Sequence, residues 1–232
     1  MTEIAAQRVN VSAPDPSART LSDQVRQKLI DSIVSGELAQ GSKISEAELA
    51  QRYGISRGPL REAIRQLEGL GLVERRAHIG ARVVKLSKQE LIDIYAVRES
   101  LEGMACRLAA QHMSDAEIED LDRLLQQHEQ QVLQDHAYYQ AAGDFDFHYR
   151  IIHGSKNRRL IGLLTGELYH LIRMYRFQSA QISSRPQQAL SDHRHIVDAI
   201  KQRDAELAEL LMRRHISAAR RSIEDHYLET NS

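Results

Sequence analysis

The sequence has one cysteine, no tryptophan and no apolar run that approaches the roughly 18 residues needed to span a membrane. Cys106 cannot form a disulfide within the chain, so the sequence favours a reducing, cytoplasmic location. The first twenty residues lack the charged and then apolar order of a secretion signal. These absences exclude small secreted scaffolds and membrane-spanning proteins, and a hydrophobic content of 42% is too high for a disordered chain.

The chain as a whole also lacks an excess of either charge, with 31 Lys and Arg against 32 Asp and Glu. The charges are nevertheless unevenly distributed. Residues 51–86 contain eight basic and three acidic side chains, whereas residues 87–232 contain 18 basic and 22 acidic ones together with ten of the 11 histidines. A short basic segment beside a longer, acidic and histidine-rich one predicts two functions on one chain.

The periodicity of apolar residues predicts a mostly α fold in three parts. Residues 1–17 have no sustained period and are expected to be a flexible arm. Residues 18–86 are expected to form a winged helix-turn-helix domain, and residues 87–232 an all-helical bundle. In the bundle, apolar spacing and punctuating residues predict helices over 90–111, 115–135, 137–153, 158–183, 186–202 and 204–228.

Local signals place the elements of the winged helix-turn-helix domain. A helix begins near Leu21, and Ser45 with Glu48 forms the capping box of a short helix that Gly54 ends. Ser56 is a suitable N-cap for the helix that follows. Two short strands, over 72–76 and 81–84, complete the basic segment. Two short helices followed by a basic hairpin are typical of a winged helix-turn-helix.

The second of these two helices carries a row of arginines. Arg57, Arg61 and Arg65 are spaced four residues apart and therefore share one face, opposite the apolar residues. The row starts at the N-terminus of the helix, where backbone N–H groups favour phosphate, and arginine forks suit guanine edges and phosphate oxygens. Three arginines on a helix are ordinarily a solvated face, but the preceding helix, the tight turn and the basic hairpin favour a DNA-reading surface.

These segments resemble a known family. Gly41-Ser-Lys-Ile-Ser-Glu-Ala-Glu-Leu-Ala and Gly54-Ile-Ser-Arg-Gly-Pro-Leu-Arg-Glu-Ala-Ile-Arg-Gln-Leu-Glu resemble the DNA-binding domain of the GntR family of bacterial regulators. The resemblance implies that Ser56, Arg57 and Arg61 contact the operator. It also implies that the tip of the wing, with His78 and Gly80, enters the minor groove.

Histidines of the second segment are candidate metal ligands. Asp144 and His148 are spaced i, i+4 on a predicted helix, and His193 and His215 fall on the apolar faces of theirs. His195 points elsewhere. Four such groups facing a helical core would hold a metal ion with open positions, although a single inward histidine is more often a hydrogen-bonded core residue than a ligand.

Residues 87–228 resemble the FCD effector domain, of the type found at the C-terminus of FadR. Its metal-binding members carry an Asp-x-x-x-His pair and two later histidines, which match Asp144, His148, His193 and His215. The resemblance implies a divalent metal ion, Zn²⁺ first with Ni²⁺ or Mn²⁺ as alternatives, and a small carboxylate effector that approaches the metal.

One arginine in the second segment falls where an apolar residue is expected. Arg98 continues the apolar series of its helix, where an unpaired charge is costly. It is expected either to form an internal ion pair with a nearby glutamate or to bind the carboxylate of the effector in a bidentate manner. The FCD resemblance favours the effector. Tyr169 and Arg173 are expected to line the same cavity.

These features together predict a ligand-responsive bacterial transcription factor that acts as a repressor. It would bind a palindromic operator in double-stranded DNA as a homodimer, without a membrane partner. The alternative is a metal-dependent hydrolytic enzyme with an accessory DNA-binding domain, because an open metal site permits hydrolysis. The sequence has no HExxH motif, nucleophile elbow or P-loop, so we predict a regulator and not an enzyme.

Overall fold

The computed structural model describes residues 20–77, 79–135, 146–180 and 186–230, so the predicted arm at 1–17 lies outside the described residues. The described part contains ten α-helices and one antiparallel pair of strands, which confirms the predicted mostly α fold. In chain order the elements are α1 (Leu21–Val34), α2 (Glu46–Tyr53), α3 (Arg57–Gly69), β1 (Val73–Arg76), β2 (Gly80–Val83), α4 (Lys88–His112), α5 (Asp115–Asp135), α6 (Phe147–Gly154), α7 (Arg158–Thr165), α8 (Glu167–Ala180), α9 (Pro186–Lys201) and α10 (Ala205–Thr230).

The three helices of the N-terminal domain begin and end at local signals. Thr20 and Asp23 form a reciprocal capping box at the start of α1. The Ser45 hydroxyl accepts the backbone N–H of Glu48 at the start of α2. Gly54 ends α2 with a φ of 63°, a left-handed conformation that costs glycine little. The chain can therefore turn within three residues from α2 into α3.

The strands form a small wing beside these helices. Val73 pairs with Val83 and Arg76 with Gly80, in antiparallel register. The segment before α2 adds a third, short edge, because the Ile44 N–H donates to the Ala81 carbonyl at 2.9 Å. The hairpin is thus attached to the helices by backbone hydrogen bonds as well as by packing.

Packing of α1 against α3 forms the core of this domain. Leu29 and Ile33 of α1, and Leu60, Ile64 and Leu67 of α3, are 1% exposed or less. Burying each of these side chains contributes about 1.5–3 kcal/mol relative to leaving it in water. Because the apolar stripe of α3 is completely buried, the opposite face of the helix is held outward.

The C-terminal domain is a bundle built on the long helices α4 and α10. The capping boxes predicted at Ser87 and Ser114 are both present, at the starts of α4 and α5. The helices α4 and α10 approach closely at Gly103, where a Cβ atom would lie 2.6 Å from Cγ of Arg213. Helix α6 packs on α4, and α9 packs between α5 and α10.

Two predicted helices differ from the observed ones. The helix predicted over 137–153 begins only at Phe147, because Asp146 has an extended backbone and its carboxylate caps the N–H groups of His148 and Tyr149. The helix predicted over 158–183 is interrupted at Gly166, where φ is −83° and ψ is −130°, so α7 and α8 are separate. In the part of the chain described, no helix has the length and apolarity to cross a membrane.

Candidate functional site

The outer face of α3 carries the predicted row of arginines. Arg57, Arg61 and Arg65 are all exposed, as the burial of Leu60, Ile64 and Leu67 requires. Ser56 is the N-cap residue, yet its hydroxyl makes no capping hydrogen bond. The start of α3 therefore presents backbone N–H groups, a hydroxyl and a guanidinium on one surface, a combination suited to phosphate and base edges.

The three arginines differ in their partners. Nε of Arg61 lies 2.7 Å from Oε2 of Glu46, and Nη2 of Arg65 lies 2.8 Å from Oε2 of Glu62. For Arg57, no ion pair or hydrogen bond of the side chain is found within the described ranges. Surface ion pairs of this kind contribute at most about 1 kcal/mol, so a phosphate can displace the glutamates.

The wing turns at the tip that the sequence indicates. Gly80 has a φ of 91°, which glycine adopts without strain and which turns the hairpin at the predicted tip. Ile79 beside it is 45% exposed. His78, the other residue expected at the tip, lies outside the described residues.

Three of the four predicted metal ligands meet inside the helical domain. Ring nitrogens of His148 on α6, His193 on α9 and His215 on α10 all lie within 4.8 Å of one another. Nε2 of His193 is 3.2 Å from Nε2 of His215. Asp144, the fourth predicted ligand, lies outside the described residues, and the described helix that carries His148 begins at Phe147.

A carboxylate that the sequence argument did not identify orients His148. Oε2 of Glu102 on α4 lies 2.6 Å from Nδ1 of His148, and both side chains are almost completely buried. An ionised carboxylate only accepts, so Nδ1 carries the proton and Nε2 keeps its lone pair. Such carboxylate contacts fix the tautomer and orientation of metal-binding histidines.

His215 is held in the same way. Its Nδ1 lies 3.1 Å from Oδ2 of Asp192, which leaves Nε2 facing His193. Burial lowers the pKa of His215, the hydrogen bond to Asp192 opposes that shift, and the charge of Arg98 adds to it. His215 is therefore neutral near pH 7, the form in which imidazole binds a metal.

Aromatic packing fixes the third histidine. His193 is 1% exposed, and its ring stacks on Phe147 with centroids 4.0 Å apart and planes inclined by 19°. His195, two residues further along α9, is exposed, as predicted. Residues two positions apart lie on different faces of a helix, so His193 faces the cluster and His195 faces solvent.

Arg98 forms the internal ion pair that was one of its two expected roles. Its Nε donates to Oε1 of Glu102, and the guanidinium carbon lies 5.1 Å from the centre of the Tyr95 ring. Nη2 of Arg98 is 3.4 Å from Nδ1 of His148. Glu102 thus connects a buried arginine to a histidine of the cluster.

The other two residues expected at the effector lie on α8. Tyr169 is 8% exposed, and its ring centre lies 5.5 Å from that of Tyr149, the residue next to His148. Arg173 is 4% exposed, with its guanidinium carbon 5.9 Å from the Tyr169 ring. Tyr169 therefore contacts Tyr149, which lies beside the cluster, and also Arg173, which lies one turn further along α8.

The histidine cluster fits a divalent metal ion. Two nitrogens bound to one tetrahedral ion are about 3.4 Å apart, close to the 3.2 Å between Nε2 of His193 and His215. The lone pairs of His148 and His215 are directed by carboxylates on their opposite nitrogens. Neutral imidazole suits zinc, nickel and other ions alike, so the donor atoms do not select one metal.

Two protein families match the chain. The family described as bacterial regulatory proteins, gntR family, matches residues 21–83, and the FCD domain matches residues 93–218. The second match alone covers more than half of the chain. The matches coincide with the helix-turn-helix domain and with the bundle that contains the histidine cluster.

Known proteins of similar sequence are regulators. A protein of Paenarthrobacter nicotinovorans called the probable D-xylose utilization operon transcriptional repressor is 32% identical over 86% of this chain and 87% of its own length. The HTH-type transcriptional repressor RspR of Escherichia coli is 26% identical over 88% of this chain and 89% of its own.

A solved structure shares the fold. The E. coli protein McbR/YncC has a TM-score of 0.75 and 20% identity to this chain, and the match covers 90% of this chain and 99% of that one. The families and relatives are transcriptional regulators rather than enzymes. The chain therefore belongs to the GntR family of bacterial transcriptional regulators, with a GntR DNA-binding domain followed by an FCD domain.

Proposed function

We propose that this regulator is a repressor that binds a palindromic operator as a homodimer and responds to a small carboxylate bound at the histidine cluster. The observation that carries the proposal is the convergence of His148, His193 and His215, buried and oriented by carboxylates, in a domain joined to a DNA-reading one. The relatives named as repressors support the sign of regulation. A protein with this task works in the cytoplasm, where the chromosome is.

The N-terminal domain, which we place at residues 18–86, would read the operator with the face of α3. Ser56, Arg57 and Arg61 are assigned to base and phosphate contacts at the start of the helix, and Arg65 to a phosphate further along. The wing would reach the adjacent minor groove through Gly80 and His78. Two copies of so short a recognition surface, related by a two-fold axis, require two half-sites about one helical turn apart.

The C-terminal domain, at residues 87–232, would hold a metal ion and supply the dimer contacts. His148, His193 and His215 would bind the metal, with Asp144 as the fourth ligand and Zn²⁺, or Ni²⁺ or Mn²⁺, as the ion. The metal would act as a Lewis acid with positions open to oxygen atoms of an effector. Glu102 and Asp192 keep two of the imidazoles in the tautomer that this requires.

Arginines near the cluster would give the effector site its preference for a carboxylate. Arg98 is close enough to His148 to donate to a molecule bound beside it, while Glu102 keeps its charge compensated when no ligand is present. Tyr169 and Arg173 extend the polar lining along α8. Ligand binding can shift operator affinity only if the ligand prefers one of two arrangements of the reading domains.

The experiment compares two histidines of one helix. We expect His193→Ala to lose the bound divalent metal, measured by elemental analysis after dialysis, and His195→Ala to keep it, because only His193 faces the cluster. Both variants should retain binding to operator DNA in the absence of effector. Equal metal content in the two variants would contradict the ligand assignment. Loss of DNA binding by both would contradict the separation of the two functions.

A further inference from the structure

A second group of basic side chains lies where the DNA-binding domain meets the helical domain, and it shares Arg173 with the proposed lining of the effector site. Helix α1 of the first packs against α8 of the second. The group consists of Arg26 on α1 with His170 and Arg173 on α8, and we call it the seam cluster. It joins the two domains at a point that neither the arginine row of α3 nor the metal ligands explain.

Each member of the seam cluster has a buried nitrogen without a partner. Nη1 of Arg173, Nδ1 of His170 and Nε of Arg26 are all inaccessible to solvent and make no hydrogen bond. Arg173 as a whole is 4% exposed. A buried polar nitrogen left unpaired costs roughly 1–3 kcal/mol, and more when it is charged. The side chain of Arg26 is 39% exposed as a whole and only its Nε is buried, so Arg173 is the member of the group that bears most of this cost.

Two arginine charges act on His170 at the seam. Burial lowers the pKa of His170 to about 4, and the charges of Arg173 and Arg26 lower it further in the same direction. Throughout the described ranges, no acidic side chain pairs with Arg173. Asp23, on the same helix as Arg26, forms an ion pair with that arginine at 3.9 Å and also belongs to the capping box of α1 with Thr20.

Arg98 shows what a compensated buried arginine looks like in the same domain. It is as buried as Arg173, yet Glu102 pairs with its Nε. A buried cation without such a partner is strongly destabilising, whereas one that meets an anion gains charge-assisted hydrogen bonds. The missing element at Arg173 is thus an anion with oxygen acceptors.

We propose that the seam cluster binds a small oxyanion, a phosphate or a carboxylate, held between the two domains by Arg173 and Arg26 with His170 beside it. The anion would satisfy the guanidinium of Arg173 and hold α1 against α8. It would stabilise the docked arrangement of the DNA-binding domain on the helical domain, independently of any metal at the histidine cluster.

Thermal unfolding of the full chain tests the proposal, with inorganic phosphate and malonate as separate probes. EDTA is present throughout, so that the histidine cluster is metal-free, and ionic strength is matched with chloride. We expect at least one probe to raise the melting temperature saturably, because a ligand of the native state stabilises it. Arg173→Met should abolish the rise and Arg26→Gln should reduce it. Arg159→Met, at an exposed arginine of α7, should leave it unchanged.

Hydrogen exchange locates the anion. Binding at the seam should slow exchange in peptides from both α1 and α8, whereas an anion bound within the helical domain alone would protect α8 and leave α1 unaffected. Should Arg173→Met not fold, Arg26→Gln and the exchange experiment decide the question. A rise of equal size in Arg173→Met, no saturable rise with either probe, or protection that omits α1 would each overturn the proposal. If just one of the two probes raises the melting temperature, that probe shows whether the oxyanion is a phosphate or a carboxylate.

Discussion

Arg57, Arg61 and Arg65 of the DNA-binding domain lie in solvent, whereas Arg98 and Arg173 of the helical domain are buried. The exposed arginines are loosely paired or unpaired at little cost, so their charges remain available to a polyanion. The buried ones must be compensated, and Arg98 has Glu102 for that purpose. The same residue type is thus exposed and available to a polyanion in one domain and buried beside the histidine cluster with a carboxylate partner in the other.

The largest effect should come from removing the buried carboxylate that pairs with Arg98. Glu102→Ala leaves Arg98 charged and unpaired and removes the acceptor of His148, so we expect a loss of about 3–5 kcal/mol in the free energy of unfolding. Glu119→Ala, which removes an exposed partner of Arg123, should change it by less than about 1 kcal/mol. Urea denaturation of both variants measures the contrast. Similar losses of unfolding free energy in the two variants would show that the buried ion pair matters no more to stability than the exposed one.

A pH-dependent loss of stability should follow from the unpaired charges at the seam. The pKa of His170 is about 4 in the folded chain and near 6.5 when unfolded, so the unfolded state binds more protons between these values. Stability contributed by neutral His170 is complete above pH 6.5 and falls as the pH drops towards 4, by up to about 3 kcal/mol.

The comparison of wild type with His170→Gln isolates this contribution, because other groups titrate in both proteins. We expect the difference in unfolding free energy between them to change across pH 6.5 to 4, with the wild type losing more stability. Parallel pH profiles for the two proteins would contradict the burial of His170 near positive charge.

Operator binding should respond to single arginines of α3 by a smaller amount. Arg57→Ala and Arg61→Ala should each weaken binding by about 1–3 kcal/mol if they remove bidentate base contacts. Arg159→Ala, at an exposed arginine of the helical domain, is the matched control and should have no effect. Fluorescence anisotropy with operator DNA at fixed salt measures all three. An unchanged affinity for the α3 variants would exclude the assigned DNA contacts.

An effect of similar size to that of the α3 arginines concerns the orientation of a metal ligand. Asp192→Asn keeps the shape of the side chain but weakens its contact to Nδ1 of His215, so metal affinity should fall by about 10–100-fold. Asp198→Asn, on the same helix but outside the cluster, should leave it unchanged. Competition with a chelator of known affinity measures the ratio, and equal affinities would show that the carboxylate does not tune the site.

The sequence predicted the features that depend on neighbouring residues. The capping boxes at Ser87 and Ser114, the turn at Gly54 and the inward face of His193 are all present, because each follows from spacing along one helix. Arg98 has the internal partner that was the alternative to its favoured effector role, with Glu102 one turn away, and the effector role stays a prediction.

Other features depend on capping interactions and on contacts between helices, which the spacing of residues along the chain does not reveal. The carboxylate of Asp146 caps α6 and fixes its start at Phe147, where the apolar pattern alone continues the helix backwards. Contacts between helices, such as Glu102 with His148 and Asp192 with His215, join positions 46 and 23 residues apart. The seam cluster likewise needs the packing of α1 on α8, which no local pattern encodes.

The most direct test of the account is a thermal-shift panel of small mono-, di- and tricarboxylates on metal-loaded and EDTA-stripped protein. A ligand of the native state raises the melting temperature according to its saturation. We predict that at least one acid stabilises the metal-loaded protein much more than the stripped one, because the histidine cluster binds the effector through the metal. If every acid acts equally on the two forms, the metal takes no part in sensing and the account is contradicted.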